Sequence, residues 1–268
     1  MAKPPAARGP VTVKRAEGIA VVTFDRGDGL NALSIEAQKA LMGAALELRD
    51  DVSVHAVVLT GHPKFSAGAD LSDPAMTSRA RAPLLEKREQ LRLGPDLCAA
   101  WEALDQVTIG AIEGFCIGGA MSLASALDFR IAGRGAHFRL PEVPLAMNMS
   151  WQTQPRLVNL IGPARTKQLV IFGERLPAPT AFDWGLVDEL ADDGGALEAA
   201  MIWARKVAAL PPLSVRMAKR GITQMATALN LTATFMDHDQ YLLATSTQDH
   251  REALKARRDK RTPKFTGE

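Results

Sequence analysis

Along this chain the apolar residues first alternate and then fall into helical spacing, and that change of period predicts its elements. Val11 to Lys14 and Ile19 to Phe24 alternate apolar with polar positions around a turn at Glu17-Gly18, which predicts two paired strands. Ser34 is a suitable N-cap for a helix-forming run from Ile35 to Arg49. His55 to Thr60 is a short apolar strand closed by Gly61. Charge and three prolines, Pro74, Pro83 and Pro95, interrupt residues 73–95, which read as a mobile excursion. A helix from about Asp96 to Leu104 then leads to a strand at Val107 to Ile112. Phe129 to Ala132 and His137 to Leu140 are strand-like. From Trp151 onward the pattern is helical, broken at Gly162-Pro163, Gly173, Gly185, Gly194-Gly195 and Pro211-Pro212.

The pattern implies an α/β domain in which strand–strand–helix units precede a helical C-terminal region. Residues 1–10 read as a flexible tail, 11–200 as the core and 201–268 as the C-terminal part of the same domain. A composition of 47% hydrophobic and 23% charged residues fits a soluble globular protein. The net charge of +2 gives no reason to expect nucleic acid. Cys98 and Cys116 have no ligand or disulfide spacing, which suits a reducing cytoplasm. The tail has no apolar signal region, and no uncharged apolar run reaches membrane-spanning length. Five histidines, at 55, 62, 137, 238 and 250, show no metal spacing, so neither a metal nor a separate cofactor is expected.

Two strand ends pass into small-residue loops, Phe65-Ser66-Ala67-Gly68-Ala69-Asp70-Leu71 and Gly114 to Gly119. Such loops let backbone N–H groups approach a ligand, and the second opens a helix whose N-terminus favours negative charge. Two converging N–H groups are what an oxyanion hole requires. Either loop alone also reads as an ordinary tight turn.

Taken together with Asn31-Ala32-Leu33, Phe138-Arg139-Leu140-Pro141-Glu142, Ile161 to Arg165 and Trp184 to Asp188, these loops resemble the crotonase (enoyl-CoA hydratase/isomerase) superfamily. The resemblance runs from Val11 to about Gly267. It implies a crotonase-like (ClpP/crotonase) spiral of ββα units with a helical trimerisation region, and a homotrimer or dimer of trimers. It implies an acyl-CoA thioester substrate, with coenzyme A as part of that substrate. By motif it assigns the oxyanion donors to Ala67 and Gly119, and CoA contacts to Asn31, Ala32, Leu33, Ala69, Asp70 and Leu71. Asp70 itself reads as a residue that positions its loop.

The acid–base groups depart from the two-glutamate hydratase pattern. Glu142 fills the downstream position after Pro141, while Ser122 stands where the first glutamate is expected. The apolar neighbours Leu140, Val143 and Leu145 should push the Glu142 carboxyl upward. One carboxylate is enough to carry a proton between C4 and C2, as in enoyl-CoA isomerases. A serine hydroxyl can orient water but is too weak a base to activate it alone. Ser122 reads equally as a small helix residue bonded within its own turn. Pairing of serine with glutamate also resembles the hydroxycinnamoyl-CoA hydratase-lyases, although that branch grips its phenol with tyrosines and this chain has only Tyr241. Loss of catalysis, leaving an acyl-CoA binder, is the third reading. Met147, Met149 and Trp151 replace the usual glycine-rich loop; they can line an acyl pocket, with at least one methionine serving as core. The basic run from Asp249 to Lys264 reads as a solvated helix.

Overall fold

The computed structural model describes residues 9–268, so the expected tail lies outside the described residues apart from Gly9 and Pro10. Strands β1 (Val11–Ala16) and β2 (Ile19–Phe24) form the antiparallel hairpin that the alternation predicts. Helix α1 (Ile35–Arg49) starts at Ser34, whose hydroxyl accepts the Ala37 N–H at 3.1 Å. Strand β3 (Ala56–Gly61) follows and pairs parallel to β2.

Residues 73–95 are helical where an irregular excursion was expected. They form α2 (Pro74–Arg81), α3 (Leu84–Gln90) and the start of α4 (Leu93–Glu102). The three prolines stand in the caps and first turns of these helices, where a missing N–H costs nothing, so they start helices instead of breaking one. Strand β4 (Val107–Ile112) leads through β5 (Phe115–Ile117) into the short helix α5 (Gly119–Ser125). Strands β6 (Phe129–Gly133) and β7 (His137–Arg139) come next.

Helix α6 (Thr153–Phe172) is kinked at Gly162-Pro163 and ends on Gly173 in the left-handed conformation, as the breaks predict. Two strands in this region escape the periodicity because they are too short to show one: β8 (Leu176–Pro177) and β9 (Glu189–Ala191), separated by α7 (Ala178–Trp184). Helices α8 (Ala196–Ala208), α9 (Pro212–Thr227), α10 (Asn230–Thr234), α11 (Asp237–Ser246) and α12 (Gln248–Arg258) complete the chain.

The main sheet has the order β1-β2-β3-β4-β6-β9 and is parallel from β2 onward; β5, β7 and β8 form a smaller sheet. Parallel strands are buried on both faces. On one face Val22, Val57 and Leu59 meet the buried sides of α1 and α4, including Leu41, Leu97 and Trp101. On the other, Ala56, Val58, Ile109 and Ile131 meet Ala196, Ala200 and Ala204 of α8. These alanines recur every fourth residue, so one helix face without bulk lies flat on the strands. Helix α8 therefore belongs to the core and runs across the boundary expected at residue 200.

Arg130 ties β6 to its surroundings from inside the core, where it is 1% exposed. It donates to the carbonyls of Leu127 and Leu186, each at 2.7 Å, and to Asp188 at 3.1 Å. Replacing it with Met leaves those acceptors without a donor and Asp188 without its cation. Arg130→Met should cost roughly 3–5 kcal/mol of stability, read as an earlier urea midpoint at unchanged slope; a change below about 1 kcal/mol would mean that the network is dispensable.

Candidate active site

The loop after β3 and the loop after β5 are zipped together backbone to backbone. Ser66 N–H donates to the Phe115 carbonyl at 3.0 Å, and Ile117 N–H returns a bond to the Ser66 carbonyl at 3.1 Å. Gly68 (φ 84°) presses on the Ile117 carbonyl so closely that a side chain there would overlap it, and its missing Cβ would lie 3.5 Å from the Gly119 nitrogen. Both the left-handed φ and the contact demand glycine.

The segment 31–33 is stitched to the first of these loops. Leu33 N–H donates to the Gly68 carbonyl at 2.7 Å, and Asp70 N–H donates to the Leu33 carbonyl at 3.2 Å. Asn31 is fully buried; its amide donates to the carbonyls of Phe24, His62 and Lys64, and its Oδ1 accepts the Arg26 N–H. Its side chain thus holds three turns in place. Asp70 accepts from Arg26 at 2.7 Å and from the Ser72 hydroxyl at 2.6 Å, and the Ser72 bond holds its carboxyl below the ordinary carboxylate value. Leu71 is exposed, and Ala32 and Ala69 are half-buried beside it.

These bonds correct one expected donor. The Ala67 N–H is occupied by the Leu30 carbonyl at 2.9 Å. Ala69 has no hydrogen-bond partner for its N–H among the described residues, and neither has Gly119 at the first position of α5. Ala67, the donor that the motif indicates, is therefore already engaged.

Ala69 and Gly119 line a cavity of about 80 Å³ together with Ser122, Glu142, Met147 and Trp151. Met149 lies in the same wall but is 2% exposed and packs into the main core, so it serves as both pocket and core. Glu142 is the one carboxylate lining this cavity among the described residues. Its Oε1 would be 3.0 Å from a Cβ on Gly118, and its Oε2 is shut off from solvent without a partner. Burial pushes the carboxyl up from an ordinary 4.5 to about 7, against the smaller opposing pull of a backbone N–H and of Arg139. A group with that value can take and return a proton near neutral pH.

Ser122 is buried on α5, where its hydroxyl is 2.7 Å from the Thr153 hydroxyl; Thr153 can donate to it or to the Ser150 carbonyl at 2.6 Å. The Ser122 hydroxyl reaches the Gly118 carbonyl only at 3.5 Å. Ser122 therefore faces the cavity but is engaged with Thr153, a partner that no local motif marks.

Trp151 forms a wall. A Cβ on Gly119 would lie 2.8 Å from the indole, and one on Gly94 in α4 would overlap it. Trp151 and Gln152 have φ of 62° and 56°, in the left-handed region that favours glycine. Arg156 holds the Trp151 carbonyl at 2.8 Å while it forms a two-pronged bond to Glu102, and Asp237 accepts the Gln152 N–H at 2.8 Å. Tyr241 and Arg79 also line the cavity, and sequence reasoning missed both. Nothing local marks them: Tyr241 lies in α11, about a hundred residues beyond Glu142, and Arg79 in a segment read as irregular.

No group of histidine, cysteine or acidic side chains among the described residues is arranged to hold a metal. No helix among them is long and apolar enough to cross a membrane.

The sequence model of the enoyl-CoA hydratase/isomerase family matches residues 14–268. The chain is 30% identical over 253 residues to the short-chain-enoyl-CoA hydratase of Clostridium acetobutylicum, covering 94% of this chain and 95% of that one. It is 30% identical over 258 residues to the crotonyl-CoA hydratase of Syntrophomonas wolfei, covering 95% and 97%. The crystal structure of an enoyl-CoA hydratase from Bacillus anthracis superposes with a TM-score of 0.75 at 30% identity, covering 97% of this chain and all (100%) of that one. This chain belongs to the enoyl-CoA hydratase/isomerase family, has the crotonase fold, and is an acyl-CoA enzyme of that family.

The buried carboxyl has a measurable signature. Because folding raises the value of Glu142, its neutral form is favoured in the fold. The penalty is absent below pH 4.5 and grows as pH rises towards about 7. Glu142→Gln, a neutral shape match, should gain up to roughly 3 kcal/mol over the parent above pH 7, with the gap closing near pH 4.5. Thermal unfolding followed from pH 4.5 to 8.5 checks this; a gap independent of pH would mean that the carboxyl is not perturbed.

Proposed function

We propose that this enzyme moves a proton along the acyl chain of an unsaturated acyl-CoA through one carboxyl, Glu142. The N–H groups of Ala69 and Gly119 hold the thioester oxygen as it becomes an enolate. The supporting observation is a single near-neutral carboxyl in a small cavity with two unpartnered backbone donors.

The chemistry follows from those groups. Ionised Glu142 removes a proton from C2 of a 3-enoyl thioester; the electron pair left at C2 spreads onto the thioester oxygen and, through the C3–C4 double bond, onto C4. The two N–H groups offset that negative charge, and each such donor is worth roughly 3–4 kcal/mol of barrier. Glu142 then returns its proton to C4, leaving the double bond between C2 and C3. Hydration needs a base for water as well as an acid for C2, and Ser122 with Thr153 can orient water without deprotonating it. We therefore rank isomerase-type chemistry above hydration. CoA would lie along the stitched segments 31–33 and 69–71, where Leu71 offers an exposed apolar surface.

A second reading is hydratase-lyase chemistry on a hydroxycinnamoyl-CoA-like substrate. The Ser122/Glu142 pair favours it, and so does the hydroxyl of Tyr241 in the same cavity. A third, an acyl-CoA binder without turnover, rests on Ser122 alone. Assembly as a homotrimer or a dimer of trimers is part of the proposal. Exposed Leu213, Met217, Ile222 and Met225 on α9 support it, since such a row is costly in water. A reducing cytoplasm suits the two buried free cysteines.

The deciding experiment offers 2-enoyl-, 3-enoyl- and hydroxycinnamoyl-CoA and follows products by mass. Conversion of 3-enoyl to 2-enoyl without gain of water supports the first reading; aldehyde and acetyl-CoA support the second; binding of all three without turnover supports the third. Glu142→Gln should lower kcat by roughly 10²–10⁴-fold while thioester binding persists. The kcat/KM for isomerisation should rise with pH and level off above about pH 7, as Glu142 ionises. Full activity in Glu142→Gln would remove it from the mechanism.

A further inference from the structure

The cavity beside Glu142 carries a cation that the proton chemistry does not use. Arg79 of α2 lines it, and its guanidinium makes one long hydrogen bond, to the Gln90 carbonyl at 3.5 Å. No carboxylate lies within ion-pair distance of it among the described residues, whereas Arg88 on the neighbouring helix has a two-pronged bond to Asp239. Arg79 is half-buried; burial lowers its basicity, against the longer-range pull of Tyr241 and Asp73. A guanidinium has five donors, and most of these have no protein partner among the described residues.

Tyr241 lines the same cavity. Its hydroxyl is buried, and burial raises its value above that of an ordinary phenol; Arg79 and Glu142 are the charges that act on it. Its hydrogen-bond partner is the Met147 sulfur at 3.6 Å, a weak acceptor. The cavity thus has an acid–base end at Glu142 and an anion-seeking end at Arg79, with Tyr241 within electrostatic reach of both.

We propose that Arg79 and Tyr241 form a recognition site for a carboxylate at the far end of the acyl chain, so that this enzyme acts on short acyl-CoA thioesters whose terminus is anionic. The inference rests on the reading that the cavity beside Glu142 receives the acyl group. Planar guanidinium and carboxylate pair through two parallel bonds, and the phenol can donate a third. Glu142 and Arg79 line one cavity, so the chain between thioester and carboxylate is a short one. An anionic terminus relieves the unpaired cation, while a methyl terminus leaves it as it is, and that difference is the source of the selectivity. The rival anion is a phosphate of CoA, because Arg79 also borders a surface cleft with Lys39 and Arg92. The shared place of Arg79 and Tyr241 in the wall of the cavity that holds Glu142 favours the acyl carboxylate.

Binding of saturated thioesters, which cannot turn over, separates this proposal from the one it rests on. Calorimetry would compare glutaryl-CoA with valeryl-CoA, adipyl-CoA with hexanoyl-CoA, and free CoA with all four. The carboxylate member of each pair should bind about tenfold or more tightly. Arg79→Met should bring that ratio close to one, Arg79→Lys should keep part of it, and Tyr241→Phe should reduce it. Tyr241→Phe, which preserves the packing, carries the test if Arg79→Met fails to fold. Equal binding within the pairs overturns the proposal. So does a loss in Arg79→Met shared equally by all four thioesters and free CoA, which would assign Arg79 to a phosphate. Selective binding with no turnover of the matching enoyl thioesters leaves the anion site standing and overturns the proton chemistry. Absence of any thioester binding overturns both.

Discussion

The contact on which the site depends is the backbone approach between the loop at 65–70 and the loop at 115–119. Gly68 lies against the Ile117 carbonyl with no room for a methyl group, and the Ser66–Phe115 and Ile117–Ser66 bonds fix the register. Once that register is set, most N–H groups of the two loops are spoken for. Ala67 goes to Leu30, Gly68 to the Ser66 hydroxyl, and Gly118 to Arg139. The N–H groups of Ala69 and Gly119 have no partner among the described residues. Preorganisation of this kind comes from strand pairing and does not depend on any side chain of the site.

A second constraint follows from the first. Gly118 must take a positive φ to turn the chain into α5, and its lack of a side chain lets the Glu142 carboxyl settle against the backbone. That position is shielded from water, which raises the carboxyl towards neutrality at the expense of stability. The same backbone geometry therefore places the donors and tunes the acid. Function is gained where the fold gives up some stability.

Sequence revealed the parts of this arrangement that lie within one loop or one period. The hairpin, α1 with its Ser34 cap, the two glycine loops and Glu142 all carry local signals. What it missed depends on contacts between distant segments. The choice between Ala67 and Ala69 turns on a carbonyl at Leu30, some forty residues away. The prolines of 73–95 were read as breakers because proline in a first turn and proline inside a helix differ only by register. Nothing around Gly94 in the sequence shows that Trp151 occupies the space of its side chain. Strands β8 and β9 are two and three residues long, too short for any periodicity.

The division also says where one family can change its chemistry. The donors lie on strand ends that pack into the core, and altering them would disturb the sheet. The cavity walls come from elsewhere: Trp151 from a turn held by Arg156 and Asp237, Arg79 from α2, Tyr241 from α11. In place of a glycine-rich turn this chain has bulky residues, with Trp151 and Gln152 kept in the left-handed region by bonds to buried charges. Those bonds offset the strain that a non-glycine residue carries there, roughly 1–3 kcal/mol for each such position. A wall retained at that cost narrows the cavity. The two unpartnered N–H groups are set by the strand ends, and the residues around Trp151 set the shape of the cavity beside them.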